Sequence, residues 1–198
     1  MKPKLPCLLA LCPLLALAML AGCGGGGDAS EAQSPEPEAT DPAPGPTTAG
    51  TRATCNLPNF EAELLVLVNA HRAAGASCGS KGSFPAAAPL AWNAMLTQAA
   101  LVHSDDMVST NVFSHTGSNG STAGQRATAA GYIWQSLGEN IAAGQHGTAA
   151  VVAGWMASPG HCANIMHTSF RDVGVACVNG AAGNRYATYW TMALGLAR

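Results

Sequence analysis

Hydrophobic positions fall into three regimes along the chain. From Leu8 to Ala21 they form a nearly unbroken run behind Lys2 and Lys4. From Asp28 to Gly50 the chain is almost wholly Ser, Glu, Pro, Ala, Asp, Thr and Gly, with no apolar periodicity. From Cys55 onward apolar residues recur with a period. Phe60, Leu64, Leu67, Val68 and His71 fall at helical spacing and predict an amphipathic helix from Asn59 to Ala74. Glu61 and Glu63 complement the dipole in its first turn, and Gly75 ends it. Leu96, Ala100, His103 and Met107 make one stripe of a second helix, from about Asn93 to Ser109. Thr122-Ala123-Gly124-Gln125 has the form of a capping box opening a short helix, which Gly131 closes. Thr148 to Ala157 reads as a fourth helix, stopped by Pro159-Gly160. The short apolar runs Leu137–Ala143, Val173–Val178 and Tyr186–Leu194 read as strands. Helices and strands do not alternate strictly, which predicts an α+β layered domain rather than a parallel βαβ fold.

The first apolar run is too short and wrongly flanked for a membrane-spanning helix, so it reads as a secretory signal. It ends in Leu20-Ala21-Gly22-Cys23, which resembles the lipobox of bacterial lipoproteins. That resemblance implies removal of residues 1–22, a diacylglycerol on the Cys23 sulfur and a fatty acyl group such as palmitate on its new amino group. Several chains at about 0.8 kcal/mol per buried CH₂ would anchor the protein stably. Gly24 stands where lipoproteins retained at the inner membrane usually carry Asp, so an outer-membrane location is expected in a host with two membranes. Residues 23–54 read as a disordered tether, extended where Pro35, Pro37 and Pro42 alternate with Glu36, Glu38 and Asp41.

The remaining 55–198 stretch suits one domain. Its acids (Glu61, Glu63, Asp105, Asp106, Glu139, Asp172) and bases (Arg72, Lys81, Arg126, Arg171, Arg185, Arg198) balance, without a basic cluster. That excludes nucleic acid as a partner, since such binding needs a dense positive footprint. The domain holds Cys55, Cys78, Cys162 and Cys177, an even number that suggests two disulfides in an exported protein. Three pairings are open, and local proximity favours Cys55–Cys78 with Cys162–Cys177. A cysteine metal site would need a Cys-x-x-Cys pair, which the sequence lacks.

Polar side chains concentrate beside Gly and aromatic residues in Phe113-Ser114-His115-Thr116, Gly138-Glu139-Asn140-Ile141 and the stretch from Gly154 to His161. These segments resemble the signature motifs of the CAP superfamily (cysteine-rich secretory proteins, antigen 5 and pathogenesis-related proteins), in its bacterial branch. His103-Ser104-Asp105-Asp106-Met107, Arg126, Gly131-Tyr132, the run from His161 to Met166 and Gly174-Val175 support the match. The resemblance implies an α-β-α sandwich with a central antiparallel sheet and an open cleft. It matches His115, Glu139 and His161 to the family's two His and first Glu, and puts Ser158 where many eukaryotic members carry a second Glu. The expected cleft set is therefore His115, Glu139, Ser158 and His161.

Two His and one carboxylate can bind zinc and leave a water position open, so His115, His161 and Glu139 are the candidate metal ligands of a weak zinc site. A metal-assisted hydrolase of envelope polymers would need the same set. The same three residues can instead brace the cleft as a hydrogen-bonded cluster. A nucleophilic Ser114 or Ser158 is weaker, since Ser158-Pro159-Gly160 is no nucleophile elbow. His71 and His103 read as packing residues, and His146 and His167 as loop residues. Trp92, Trp155 and Trp190 read as core, Asn140 and Asn164 as backbone-bonding, and Asp105 and Asp106 as a solvated helix face. The functional expectation is a monomeric, lipid-anchored binding module of the cell envelope, with a small lipid or wall fragment as ligand. The alternatives are the hydrolase and a scaffold that binds a protein partner outside the cleft.

Overall fold

The computed structural model describes residues 52–198. The signal segment, Cys23 and all but the last residues of the 23–54 tether lie outside the described residues. Helix α1 (Phe60–Ala74) is followed by a small hairpin, β1 (Ala76–Ser77) with β2 (Ser83–Phe84) around a 3₁₀ turn at Gly79–Lys81. Then come β3 (Ala91–Trp92), α2 (Ala94–Thr110), α3 (Ala123–Ala129), β4 (Trp134–Ala143), α4 (Thr148–Ala157), α5 (Pro159–Met166), β5 (Asp172–Asn179) and β6 (Thr188–Ala197). The four main helix segments and three long strands stand close to where periodicity put them. Asn93 caps α2 through its side chain, and Thr122 with Gln125 forms the capping box of α3. Among the described residues no helix is long and apolar enough to cross a membrane.

The main sheet runs β3-β5-β6-β4. β5, β6 and β4 are antiparallel as expected, but the two-residue β3 joins β5 in parallel. Side chains alternate across β5 and β6, and both faces are buried. Val173, Val175, Trp190, Met192 and Leu194 pack with Phe60, Leu64 and Val68 of α1, Val151 and Trp155 of α4, and Ile165 of α5. On the other face Ala176, Val178 and Ala193 meet Leu96, Ala99, Ala100 and Leu101 of α2. This is the α-β-α layering that the resemblance implied. The α2 face is built of small residues because the helix lies very close: a Cβ on Gly174 would stand 2.1 Å from the Thr97 nitrogen.

The fourth helix ends at Ala157 as expected, but a further helix that was not expected opens at once on Pro159. Ser158 is extended (φ −94°, ψ 121°), ends α4 and serves as N-cap of α5, with Pro159 in the first turn, where its missing N–H costs nothing. The disulfide pairing is also different. Cys55 bonds Cys177 and Cys78 bonds Cys162, with Cα separations of 5.2 and 5.5 Å. The start of the domain runs alongside β5: the Cys55 N–H donates to the Cys177 carbonyl and the Cys177 N–H to the Ala53 carbonyl. That ladder places Cys55 on Cys177, while α5 lies against the 3₁₀ turn that follows Cys78. Proximity in sequence was a poor guide because β5 and α5 each face an earlier part of the chain. These bridges span 122 and 84 residues, so each stabilises by roughly 4.5–5 kcal/mol on the chain-entropy model, more than neighbouring pairs would. Just before the ladder, Arg52 pairs with Asp105 of α2 at 2.8 Å.

Candidate functional site

The site is assembled from a loop, a short helix, an edge strand and a helix start. His115 lies in the loop after α2, which ends on Asn111 in the left-handed conformation (φ 54°). Asn111 Oδ1 accepts from the Arg185 N–H and the Tyr189 hydroxyl, fixing one end of the loop. Asp106 fixes the other by accepting from the Ser118 N–H at 2.8 Å and from its hydroxyl. Neither Asp105 nor Asp106 is thus a bare solvated face: one holds Arg52 and the other holds the His115 loop. The Ser118 hydrogen bonds outweigh partial burial and hold the Asp106 carboxyl below its usual range, although burial alone pushes it up.

Glu139 projects from β4 and is buried, with 7% of its side chain exposed. Its Oε1 accepts from His115 Nδ1 at 2.8 Å, and its Oε2 from Arg126 Nη2 at 2.6 Å. Arg126, buried on α3, also donates to the His115 carbonyl at 3.1 Å and the Ser121 carbonyl at 2.8 Å. Burial pushes the Glu139 carboxyl up, but the His115 hydrogen bond and the Arg126 charge outweigh it and hold it below the usual range. His103 on α2 completes the cluster. Its ring is fully buried, and Nε2 stands 3.9 Å from Glu139 Oε1. Burial lowers its pKa, so the ring is neutral near pH 7.

His161 sits half-buried in the first turn of α5. Burial, and then the charge of His115, hold its pKa below the ordinary value. Asparagines tie α5 to β4: Asn140 donates to the His161 carbonyl at 3.1 Å, and Asn164 donates to the Glu139 carbonyl and to Asn140 Oδ1. Trp155 Nε1 donates to the Ile141 carbonyl. The carbonyls of an edge strand, Glu139 and Ile141, are thereby covered by side chains of the helices, which blunts that edge. Gly138 leaves room for the Phe170 ring, which a Cβ would approach to 3.0 Å, so a side chain there would have to push the ring aside. His161 and Ser158 line a groove of about 300 Å³ with Phe113, Ile141, Trp155 and Tyr186. Glu139 borders a neighbouring hollow of about 690 Å³ with Gln125, Trp134 and Leu137.

The structure thus brings His115 and Glu139 into contact and puts His161 and Ser158 in the adjoining groove. Trp155 and Trp190 are core as expected. Trp92 is half-buried, edge-on to Phe60 at 6.4 Å. Two members of the cluster were not recognised as such from sequence. His103 was assigned to packing because it lies on an apolar stripe, and Arg126 served only to support the family match. The available signal was charge: a His on a buried face and an Arg in a short helix both need a partner, and Glu139 is the one acid in the neighbouring strand.

The expected zinc set does not form. Both oxygens of Glu139 are engaged, one by an imidazole and one by a guanidinium. Among the described residues no group of three or more His, Cys, Asp or Glu is arranged to hold a metal ion. What Glu139 does is hold the His115 ring through Nδ1, on a side chain that is more than half exposed. The residues therefore do not fit a two-His, one-carboxylate site.

Comparison with known proteins agrees with this architecture. The family model described as "CAP: Cysteine-rich secretory protein family" matches residues 65–194. Protein YkwD of Bacillus subtilis is 31% identical over 132 residues, covering 67% of this chain and 48% of that protein. The membrane protein YlbC of the same organism is 32% identical over 88 residues, covering 44% of this chain and 25% of its own length. The match thus spans less than half the length of either relative. Among solved structures, an outer surface protein of Borrelia burgdorferi aligns with TM-score 0.51 at 20% identity, over 57% of this chain and 80% of that one. A cysteine-rich secretory protein of Staphylococcus aureus aligns with TM-score 0.51 at 14% identity, over 70% of this chain and 39% of that one. At such identities these two support the fold alone. The extent of the family match, on a chain with this layering and this His115–Glu139 contact, shows that the chain belongs to the CAP (cysteine-rich secretory protein) family.

Proposed function

We propose that the protein is an extracytoplasmic, lipid-anchored binding module of the cell envelope, whose cleft takes a small lipid or a wall fragment. The observation that carries this reading is the division of labour at the cleft. A buried carboxylate and guanidinium are spent on holding His115, while the groove beside them is lined by Phe113, Trp155 and Tyr186 with His161 and Ser158. A concave, largely apolar surface with a few placed polar groups is the form of a ligand site. The solved relatives include an outer surface protein, and residues 1–23 have the pattern of an exported lipoprotein, which supports the location. The hydrolase alternative requires a metal set that the side chains do not form, so it is not favoured. Zinc in this cleft would have two imidazoles, His115 and His161, and would bind weakly.

Two measurements test the reading. Titration of the purified chain with palmitate and, separately, with soluble wall fragments should show saturable binding of one of them. Tyr186→Ala and His161→Ala should each weaken that binding about tenfold or more, the size of one lost good contact, with the melting transition retained. Binding of neither probe, or binding indifferent to both variants, overturns the cleft assignment. Membrane fractionation with lipid labelling tests the anchor, since Cys23→Ser should abolish both labelling and partitioning.

A further inference from the structure

We propose that His103 is a positioning residue of the cleft: it is the standing second donor for Glu139 Oε1, and takes over that oxygen when His115 turns to a ligand. The argument begins with an unsatisfied group. A neutral imidazole always carries one N–H. His103 is fully buried, yet neither ring nitrogen meets hydrogen-bond geometry. Buried donors without acceptors are rare in native proteins and call for an explanation. The groups around the ring narrow the choice. Asp106, on the same helix, is occupied by Ser118, and Arg126 is a cation and offers no acceptor. The Ser114 backbone acts on the ring as a hydrogen-bond acceptor and is the competing partner for its N–H. Among the side chains around the ring, Glu139 Oε1 remains as acceptor, 3.9 Å from Nε2.

That oxygen stands between two imidazoles of opposite character. His115 holds it at 2.8 Å, but more than half of the His115 side chain is exposed, on a loop. His103 is immobilised in the α2 face. The other carboxylate oxygen is pinned by Arg126 at 2.6 Å. Rotation of the carboxylate about that pinned oxygen moves Oε1 from one ring toward the other. His115 can then leave without stranding a buried, half-paired carboxylate, and Glu139 stays in place for its return.

The test reads the hydrogen bond itself, so it can fail while ligand binding survives, and the reverse. Long-range ¹H–¹⁵N correlation on the labelled chain at neutral pH assigns the imidazole tautomers. His103 should be the neutral Nε2–H form. In His115→Ala its Nε2–H proton should move downfield and exchange more slowly with solvent, and Glu139→Gln in that background should reverse the shift. An Nδ1–H tautomer, or a His103 ring unaffected by His115→Ala, overturns the proposal. A second measurement uses thermal unfolding. His115→Ala should cost more in a His103→Leu background than in wild type, and His103→Gln, which keeps an N–H donor, should restore the wild-type cost. Additive losses with both backgrounds overturn it.

Discussion

Two buried arginines divide the molecule. Among the described residues Arg72 of α1 makes no ion pair with a carboxylate. Its guanidinium donates to the carbonyls of Ala88, Ile165, His167 and Phe170 at 2.6–3.1 Å, which ties α1, the end of α5 and the loop before β5 into one knot. Arg126 donates to two carbonyls and to Glu139. The first arrangement is closed: every guanidinium nitrogen has a partner, and every partner is fixed backbone. The second is open: among the described residues Arg126 Nε and both nitrogens of His103 make no hydrogen bond of good geometry, and His115 is exposed. A charge neutralised by backbone dipoles makes a rigid joint. A charge neutralised by a side chain that is shared with two imidazoles leaves alternatives, and that is where the cleft lies.

The largest effect should come from the closed knot. Arg72→Met would remove every one of these hydrogen bonds and strand the buried carbonyls, at a cost of about 3–5 kcal/mol by analogy with breaking buried ionic networks. No second substitution should rescue it, because no opposite charge is left to neutralise. Urea unfolding reads the change, and a loss below about 1 kcal/mol would mean that the carbonyls find water instead. Arg126→Met should cost about 3 kcal/mol, since Glu139 is left buried and unpaired. Here a rescue exists: adding Glu139→Gln removes the stranded charge and should recover about half of the loss. If the double variant is no more stable than Arg126→Met, the two arginines do not differ in the way described.

What was legible beforehand follows the same division. Periodicity reports which face of an element is apolar, so α1, α2, α4 and the three long strands could be read within a few residues. Periodicity is silent about two-residue strands, and β3 was missed. It placed the end of α4 at Ala157 but not the start of α5, because a proline that cannot continue one helix can open the next from its first turn. The ordered motifs located His115, Glu139, Ser158 and His161, and the contact between the first two is there. Three-dimensional partnership was not legible. Cys55 meets Cys177 only because the chain start runs along β5, and His103 meets Glu139 only because α2 crosses the sheet. A buried polar residue on an apolar stripe announces that it has a partner, not which one.

The smallest effect is a slope with pH, and it should belong to the open cluster and its Asp106 brace rather than to the closed knot. Burial depresses the folded-state pKa values of His103 and His161. The unfolded chain therefore takes up these protons first as pH falls. The stability tied to the neutral rings is complete above about 6.5, the unperturbed His value, and declines as pH drops from there through the folded values. A second decline lies lower. The folded pKa of Glu139 is depressed, so its contribution is complete above its unfolded value and is lost as pH falls through the folded one. Arg72 keeps its proton throughout this range and adds no slope. Unfolding free energies measured from about pH 8 down to about pH 2 should show the upper decline weakened in His103→Phe and the lower one weakened in Glu139→Gln. An Arg72→Lys variant, if it folds, should shift the whole curve downward without changing its shape. A curve that His103→Phe leaves unaltered between pH 6.5 and 5 would show that the buried ring is not what titrates there.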